Sequence, residues 1–406
     1  MSTDIGRRTA GGAGPTRAPV DICGIGVVSG YGWGVEPFWR GLLSSKSAAV
    51  PHYDIEPWPW PDEPVWAAIV PDEGERTDGR SRFARALRAS AREAIGNAMS
   101  RGWSPGRSVG LIHAVVLGEV DLWRDLYLSA DRHVSRHGYM SLMPSTPISM
   151  VMQEYGFHGP AMNVSAMCAS GNTALLTAQL WLGAGLCDDV VVATTDISLT
   201  PENLRHFRDL GVSATDVDPL EACRPFQEDS RGFAMGEASV AYVVTRGKSR
   251  ARGVEPYAAM LGGAMTHDAY HVVSIEPSAT QVMRCVTDAM ADAGVEASDV
   301  AWFNAHGPGT KQCDVAERRV LDEALGDDTR VFSLKPLLGH CQGASSAVEL
   351  AASALAYERQ CIPAPYLAGT GHPRQLDGPT PMTGGITVKT ALGMGGHNAV
   401  VVLDAA

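Results

Sequence analysis

Apolar runs of strand length alternate along this chain with longer stretches in which apolar residues recur at helical spacing. The strand-like runs lie at residues 20–28, 109–117, 190–195, 238–245, 300–304 and 399–403. The helix-like stretches lie between them, at residues 83–99, 172–186, 280–293, 315–325 and 345–357. Because buried strands are short apolar runs and packed helices are longer and periodic, this alternation predicts an α/β fold.

The chain has no Ser/Gly linker or Pro-rich hinge that would divide it into independent domains. A soft boundary at residues 248–253 separates a half with a candidate cysteine from a half with two candidate histidines. We therefore predict an N-terminal half at 19–250 and a C-terminal half at 251–406. Residues 1–18 are rich in Gly, Thr, Arg and Pro and lack an apolar segment, so we expect a flexible tail and not a signal peptide.

Composition favours an enzyme of a reducing compartment, the cytoplasm. The 406 residues are 45% hydrophobic, enough to bury one large core or two fused ones. The eight cysteines are scattered with no CxxC pair, which does not suit a disulfide framework. A net charge of −12 argues against nucleic acid as a partner, and no run approaches the roughly 20 apolar residues of a membrane span.

Cys168 is the first candidate for chemistry. It lies in the segment 163–171, Asn-Val-Ser-Ala-Met-Cys-Ala-Ser-Gly, where a short strand-like run ends and an apolar helical stretch begins. The first turn of a helix offers unpaired N–H groups, which favour thiolate over thiol and can hold an oxyanion. Most cysteines are only small buried hydrophobes, so this position becomes informative only together with two histidines nearer the C-terminus.

These two histidines lie about 140 or more positions after Cys168, each where a strand-like segment ends in a turn. His306 lies in Asn-Ala-His-Gly-Pro-Gly-Thr, followed by Asp314 and Glu317 on a helical stretch, and His340 lies five residues after Lys335. A lone histidine after a strand is more often structural, since one backbone carbonyl readily holds its ring. Two in matching contexts indicate a single site shared with Cys168.

Two other kinds of site fit the sequence poorly. A zinc site of His306, Cys313, His340 and Cys341 has no finger or ribbon spacing, and the adjacent His340 and Cys341 would point apart. The glycines at 24–30 are similar to a dinucleotide-binding turn, but the last spacing is one residue too long and no acidic residue follows at the right distance. We expect neither a metal nor a nicotinamide cofactor.

The chain resembles the β-ketoacyl-acyl-carrier-protein synthases, the ketosynthases of the thiolase superfamily, and especially those of type II fatty-acid and polyketide systems. The resemblance runs from about Val20 to Leu403 as an ordered series of motifs. These are Gly-Ile-Gly-Val-Val-Ser at 24–29, Cys-Ala-Ser-Gly at 168–171, Arg-Pro-Phe at 224–226, Asn-Ala-His-Gly at 304–307, Lys335 with Gly-His at 339–340, and Gly-Met-Gly-Gly-His-Asn-Ala at 393–399. It implies a five-layer α-β-α-β-α fold of two similar halves, with the catalytic groups between them.

The resemblance also implies a mechanism and site residues. Cys168 would hold the acyl chain as a thioester, and His306 and His340 would bind the malonyl thioester oxygen and promote loss of carbon dioxide. Lys335, with Glu317 as its expected ion-pair partner, would orient the histidines. Backbone N–H groups of Cys168 and Met394 would form the oxyanion hole. No metal or organic cofactor is expected, because the phosphopantetheine belongs to an acyl carrier protein.

Several positions depart from the family pattern. Met394 stands where the family usually has the phenylalanine that gates the acyl pocket. Val273 and Pro308 stand where hydroxyl residues commonly line the pantetheine and malonyl site, which leaves Thr310; Gly395 completes the predicted substrate-binding set. The segment 227–231, Gln-Glu-Asp-Ser-Arg, also changes the charge pattern after Arg-Pro-Phe. These changes concern the acceptor and the acyl specificity more than the chemistry of Cys168.

Three functions stay open from the sequence. The first is decarboxylative condensation of carrier-protein thioesters, and the second is acyl transfer from Cys168 to an oxygen or nitrogen nucleophile without decarboxylation. The third is a non-catalytic chain-length partner subunit, against which the retained Cys168, histidines and Lys335 argue. Partners would be an acidic acyl carrier protein, met by a local basic patch such as Arg205 and Arg208, and a second subunit in a homodimer or a heterodimer with a chain-length factor.

Overall fold

The structure is a computed structural model that describes residues 17–53, 64–129, 136–214 and 216–406, apart from the side chains of residues 136 and 137. The tail predicted at 1–18 lies outside the described residues except for its last two. Of these, Arg17 forms an ion pair with Asp292, 3.1 Å between Nε and Oδ1. Among the described residues, no helix is both long and apolar enough to cross a membrane.

The described chain contains sixteen strands and twelve α-helices, with short 3-10 and π segments between some of them. The strands are β1 Val20–Ser29, β2 Gly32–Trp33, β3 Val50–His52, β4 Val65–Ala68, β5 Val109–Ala114, β6 Ala161–Val164, β7 Asp189–Asp196, β8 Met235–Gly236, β9 Ala238–Arg246, β10 Ala258–His267, β11 Val300–Asn304, β12 Arg330–Phe332, β13 Cys361–Ile362, β14 Thr380–Pro381, β15 Ile386–Gly393 and β16 His397–Asp404. The helices are α1 Val35–Leu43, α2 Arg82–Ser100, α3 Val120–Leu128, α4 Arg136–Met140, α5 Thr146–Tyr155, α6 Ser170–Gly183, α7 Pro201–Asp209, α8 Pro219–Ala222, α9 Thr280–Ala293, α10 Lys311–Arg319, α11 Lys335–Leu338 and α12 Ser345–Arg359.

The six predicted strands and five predicted helices are confirmed, with shifts at their ends. The run at 109–117 stops as a strand at Ala114, and the helix predicted at 172–186 begins earlier, at Ser170, and ends at Gly183. The helix predicted at 315–325 is α10 continued by a π-helical turn, Val320–Ala324. The sequence reading missed β10 and β15, whose alanines, glycines and buried Lys389 interrupt a simple apolar pattern.

The two halves of the sheet repeat one topology. The order β6-β5-β7-β9-β1 in the first half matches β12-β11-β15-β16-β10 in the second. In both halves the two outer pairings are parallel and the two inner ones antiparallel. The halves join where β1 pairs with β10 over only three residues, Val20 to Ile22. The last strand of the first half ends at Arg246 and the first of the second begins at Ala258, on either side of the predicted boundary.

Five layers arise from how the helices cover these half-sheets. Helices α6 and α12 pack against each other between the halves, and their apolar faces form the largest hydrophobic core with the inner sheet faces. Helices α2 and α5 cover the outer face of the first half-sheet, and α9 covers the outer face of the second. The fold is therefore α-β-α-β-α, as the resemblance implies, and it points the first turns of α6 and α12 toward one region.

Candidate active site

The candidate nucleophile lies in a sharp turn between a strand and a helix. Cys168 is the middle residue of the 3-10 turn Met167–Ala169, between β6 and α6. Met167 has φ of 50°, a conformation that non-glycine residues rarely adopt. The turn places the thiol on the wall of a cavity of about 510 Å³, although only 5% of the side chain is exposed. His306, His340 and Met394 line the same cavity, so the structure brings together the residues predicted to act jointly.

Burial dominates the acidity of this thiol. It raises the pKa of Cys168 to about 11, while the charge of Lys335 and the backbone N–H groups of Met394 and Cys168 act in the opposite direction. The sequence reading expected the helix start to favour the thiolate. Desolvation is the larger effect here, so the resting group is a thiol.

The backbone around the thiol suits an oxyanion. A Cβ atom built on Gly393 would lie 2.8 Å from the carbonyl oxygen of Ala166 and 3.3 Å from the nitrogen of Cys168. Glycine at this position is what allows the turn after β15 to pack against the nucleophile. The backbone N–H groups of Cys168, in the N-terminal half, and Met394, in the C-terminal half, thereby both lie beside the Cys168 thiol.

The two histidines are held as neutral rings with the same nitrogen protonated. Nδ1 of His340 accepts from the backbone N–H of Gln342 at 3.0 Å, and Nδ1 of His306 lies 3.2 Å from Nζ of Lys335. An ammonium group and a backbone N–H can only donate, so the ring proton belongs on Nε2 in both histidines. The ring centroids are 5.5 Å apart with planes at 85°.

Burial and neighbouring positive charge keep both rings uncharged. Burial lowers the pKa of His306 well below 6.5, and the charges of Lys335 and Lys389 lower it further. The pKa of His340 is also well below 6.5, again through burial first and Lys335 second. Two neutral imidazoles with Nε2–H free to donate can stabilise an enolate oxygen without first protonating it.

Lys335 has a different partner from the one predicted. Its ion-pair partner is Glu349 on α12, with Nζ 2.5 Å from Oε1, and both side chains are at most 1% exposed. Glu317 instead accepts from the backbone N–H groups of His306 and Gly307, each at 2.7 Å. The predicted Lys335–Glu317 pair is therefore wrong, because Glu317 already accepts hydrogen bonds from the peptide groups of His306 and Gly307.

Four buried charged side chains surround the backbone of residues 305–307, and we call them the His306 clamp: Glu317, Lys335, Glu349 and Lys389. Glu317 accepts hydrogen bonds from the backbone N–H groups of His306 and Gly307. Lys335 donates to the carbonyl oxygen of His306, and Lys389 donates to that of Ala305 at 3.4 Å. Glu349 bridges the two lysines, with Oε2 2.7 Å from Nζ of Lys389. The clamp fixes the peptide that carries the His306 ring.

Glu349 and Lys389 were missed by sequence reasoning. A lysine in the apolar strand Ile-Thr-Val-Lys-Thr-Ala-Leu-Gly and a glutamate in the apolar helix α12 were the available signals, because buried charges are nearly always paired. Their sequence separation of forty residues hid the pairing.

Most of the predicted substrate-binding residues line the cavity. Met394, Thr310, Pro308 and Val273 do so, whereas Gly395 is not part of the lining. Its neighbours Gly393 and Gly396 take that place in the same turn. Phe233 also lines the cavity, with its ring centroid 4.5 Å from that of His340, and was not predicted.

The described residues contain no group of three or more His, Cys, Asp or Glu side chains that could hold a metal ion. His306 and His340 use Nδ1 for Lys335 and Gln342, respectively.

Comparisons with known proteins point to the same family as the sequence motifs. Residues 17–250 match the N-terminal domain and residues 257–366 the C-terminal domain of the beta-ketoacyl synthase family. A putative polyketide beta-ketoacyl synthase of Streptomyces cyaneus is 29% identical over 95% of this chain and 97% of its own length. The 3-oxoacyl-[acyl-carrier-protein] synthase 2 of Staphylococcus aureus is 28% identical over 94% of this chain and 99% of its own.

Solved structures share the fold. One is the complex of a type II polyketide synthase acyl-carrier protein with its ketosynthase bound to the hexaketide. Its matching chain superposes with a TM-score of 0.85 at 22% identity, and the match covers 96% of this chain and 100% of that one. A beta-ketoacyl synthase of Burkholderia phymatum gives 0.82 at 23% identity, covering 96% and 100%. With both family domains matched along most of its length, this chain belongs to the beta-ketoacyl synthase family.

Proposed function

We propose that this protein catalyses the decarboxylative Claisen condensation of a Cys168-bound acyl group with a malonyl thioester on an acyl carrier protein. The observation that carries the proposal is the joint placement of one thiol and two neutral Nε2–H imidazoles on a single cavity. A thiol suits acyl capture, and two neutral donors suit the enolate formed on decarboxylation.

The first half-reaction loads the enzyme. Sγ of Cys168 attacks the acyl thioester carbonyl, the new C–S bond forms, and the C–S bond to the carrier's pantetheine breaks. The thiol proton ends on the departing pantetheine sulfur. The tetrahedral oxyanion accepts hydrogen bonds from the backbone N–H groups of Cys168 and Met394.

The second half-reaction extends the chain. The bond between the malonyl α-carbon and its carboxylate breaks, carbon dioxide leaves, and the electron pair forms an enolate whose oxygen accepts from Nε2–H of His306 and His340. The enolate carbon attacks the Cys168 thioester, and collapse of the tetrahedral intermediate breaks the C–S bond. Cys168 leaves as a thiolate and takes up a proton. These steps need no metal or organic cofactor, and the phosphopantetheine stays with the carrier.

The carrier protein docks beside α7. Leu210, Gly211 and Val212, which directly follow this helix, line the cavity together with Lys311. The predicted patch residue Arg205 lies on α7, 58% exposed, and pairs with Asp209 at 3.5 Å. Lys311 lines the cavity, and Arg205 and Arg208 lie on the helix that directly precedes its lining residues 210–212, so these three cations are the candidates for contact with an acidic carrier.

A second subunit binds at the edge of the sheet, beside β6. β6 is the end strand of the first half-sheet, and its Met162 is 40% exposed. Exposed edge strands offer unpaired backbone groups to another chain, so a second copy or a chain-length factor pairs there. Sedimentation of the purified chain, alone and with Met162→Lys, distinguishes a homodimer from a monomer that requires a different subunit.

Acyl transfer without decarboxylation is the second candidate. Val273 and Pro308 line the cavity, where they offer no side-chain donor to a malonyl carboxylate or a pantetheine amide. Thr310 and Ser274 remain as hydroxyl groups on the wall. With fewer donors for a malonyl carboxylate, an alcohol or an amine would take the place of malonate as the acceptor.

One experiment separates the two candidates. The protein is incubated with a panel of acyl-carrier thioesters, and intact-mass spectrometry identifies the donor from its adduct on Cys168. Malonyl-carrier protein is then added. Condensation predicts a 3-oxoacyl-carrier product and carbon dioxide, whereas an adduct that persists with malonyl-carrier and is lost only to an added alcohol or amine would reject condensation.

A further inference from the structure

Lys389 lies in an apolar strand, yet polar acceptors surround its ammonium group. The side chain is fully buried, and Nζ lies 2.7 Å from the carbonyl oxygen of Thr390, 3.4 Å from that of Ala305 and 2.7 Å from Oε2 of Glu349. The two carbonyl oxygens accept hydrogen bonds from the ammonium group, and Glu349 supplies the opposite charge at ion-pair distance. The ammonium group therefore lies directly behind the peptide of His306.

Lys335 alone would neutralise the charge of Glu349. Lys335 already gives it an ion pair of 2.5 Å and also reaches the His306 ring and carbonyl oxygen. Adding Lys389 places two positive charges on one carboxylate, which leaves one net positive charge in this trio. Desolvation makes an unneeded buried charge costly, so a structural role for Glu349 does not account for the second lysine.

The charges behind the His306 ring come from four elements. Lys335 from α11 is positive, Glu349 from α12 is negative, and His340 is neutral. Burial lowers the pKa of Lys389 on β15, while the charges of Glu349 and Glu317 favour its ammonium form. Burial raises the pKa of Glu317 on α10, which disfavours its charged form, although Lys389 and hydrogen bonds oppose this. With Glu317 in its uncharged form the balance near the ring is positive, and an enolate that forms on the other side of the ring is negative.

We propose that Lys389 is a positioning residue for decarboxylation: with Lys335 and Glu349 it keeps one net positive charge behind His306, which holds this imidazole neutral and favours the enolate that it binds. This inference rests on the proposed condensation. The charge acts through His306 and its peptide, and Lys389 itself does not line the cavity.

The test separates charge from packing with three variants. Lys389→Met keeps a long side chain and lowers the net charge of the trio from one to zero, whereas Lys389→Met/Glu349→Gln returns it to one through Lys335. Lys389→Arg keeps the positive charge but changes the shape of the side chain. Lys248→Met changes an exposed lysine outside the cavity and serves as the control.

Decarboxylation of malonyl-carrier protein and alkylation of Cys168 by iodoacetamide are measured for each protein. Lys389→Met should slow decarboxylation roughly 10-fold, the scale of one lost hydrogen bond to a charged group, and leave alkylation unchanged. The double variant should recover part of that loss. Equal loss of both reactions, or a double variant slower than Lys389→Met, would overturn the proposal in favour of a packing role.

The His306 pKa gives a readout that does not depend on turnover. With ¹³C-labelled histidine, NMR titration should show the His306 pKa higher in Lys389→Met than in the wild type and low again in Lys389→Arg, because the positive charge disfavours the imidazolium. An unchanged His306 pKa in Lys389→Met would refute the inference. A wild-type protein that releases no carbon dioxide would instead refute the proposed function, and the titration would still decide the role of Lys389.

Discussion

The two halves of the molecule have the same strand order but carry different chemistry at equivalent places. Each half has a 3-10 turn that leads into the central helix, Met167–Ala169 before α6 and Gln342–Ala344 before α12. Both turns begin with a non-glycine residue at positive φ, 50° for Met167 and 44° for Gln342. The next residue is Cys168 in the first half and Gly343 in the second.

The difference shows how one scaffold supports two tasks. The buried face of α6 is apolar or neutral, so a thiol at its start faces little charge from its own helix. The buried face of α12 includes Glu349, which organises two lysines around the peptide of His306. In the proposed mechanism, covalent capture therefore belongs to the first half, and charge stabilisation belongs to the second.

The largest effect is expected where only the first half is changed. Cys168→Ala should abolish the covalent acyl adduct, because no other group at the turn replaces the nucleophile, and the small side chain should preserve the fold. Intact-mass spectrometry after incubation with an acyl-carrier thioester measures this. Cys361→Ala, which alters a half-exposed thiol outside the cavity, is the control. An adduct of full yield on the Cys168→Ala protein would show that another residue is acylated.

Changes confined to the second half should have the opposite profile. His306→Ala and His340→Ala should each slow decarboxylative condensation by roughly 10²-fold, the usual scale for one positioned hydrogen-bond donor. Alkylation of Cys168 by iodoacetamide should persist in both variants, since the thiol belongs to the other half. Wild-type condensation rates would identify these residues as structural histidines.

The pH dependence should also divide between the halves. The thiol has a pKa of about 11, so its alkylation rate should rise about tenfold per pH unit through the neutral range. Both histidines have a pKa well below 6.5, so they stay neutral and decarboxylation should persist as the pH falls through 6.5. A decarboxylation profile whose acid limb is centred at 6.5 would mean that the rings titrate as if exposed to water.

The smallest effect concerns the turn where the halves meet. Methionine is flexible and adapts its shape, whereas a phenylalanine ring moves as one rigid body. Met394→Phe should therefore narrow the range of acyl donors without changing alkylation of the thiol. Acylation rates across a ladder of donor sizes measure this in both proteins. The same donor profile in both would assign Met394 a space-filling role only.

The sequence was sufficient for the long strands and helices other than β10 and β15, and for most of the candidate residues that share the cavity. Cys168 and His306 were predicted from their positions after strands, and both line one cavity. Helical periodicity predicted α9 with its observed bounds, Thr280–Ala293. The partner of Lys335 was not accessible in this way. Glu317 and Glu349 both follow a candidate residue on a helix, and only the three-dimensional fold decides which carboxylate faces the ammonium and which faces the peptide N–H groups.

Burial is the other property that local patterns did not supply. A helix start predicts a thiolate, yet the pKa of Cys168 depends on how much of two half-sheets surrounds it. Lys389 is similar, because an isolated lysine in a strand indicates an edge or a bulge until its partner Glu349 is known. Both depend on tertiary packing, between the halves for Cys168 and within the second half for Lys389, which no segment of the chain encodes alone.

The proposed condensation is tested most directly by the stoichiometry of a single turnover. Wild-type protein is acylated on Cys168, freed of donor, and mixed with malonyl-carrier protein while carbon dioxide, the adduct and the carrier product are measured together. We expect carbon dioxide, lost adduct and 3-oxoacyl-carrier to appear in equal amounts. Loss of the adduct without an equal release of carbon dioxide would contradict condensation.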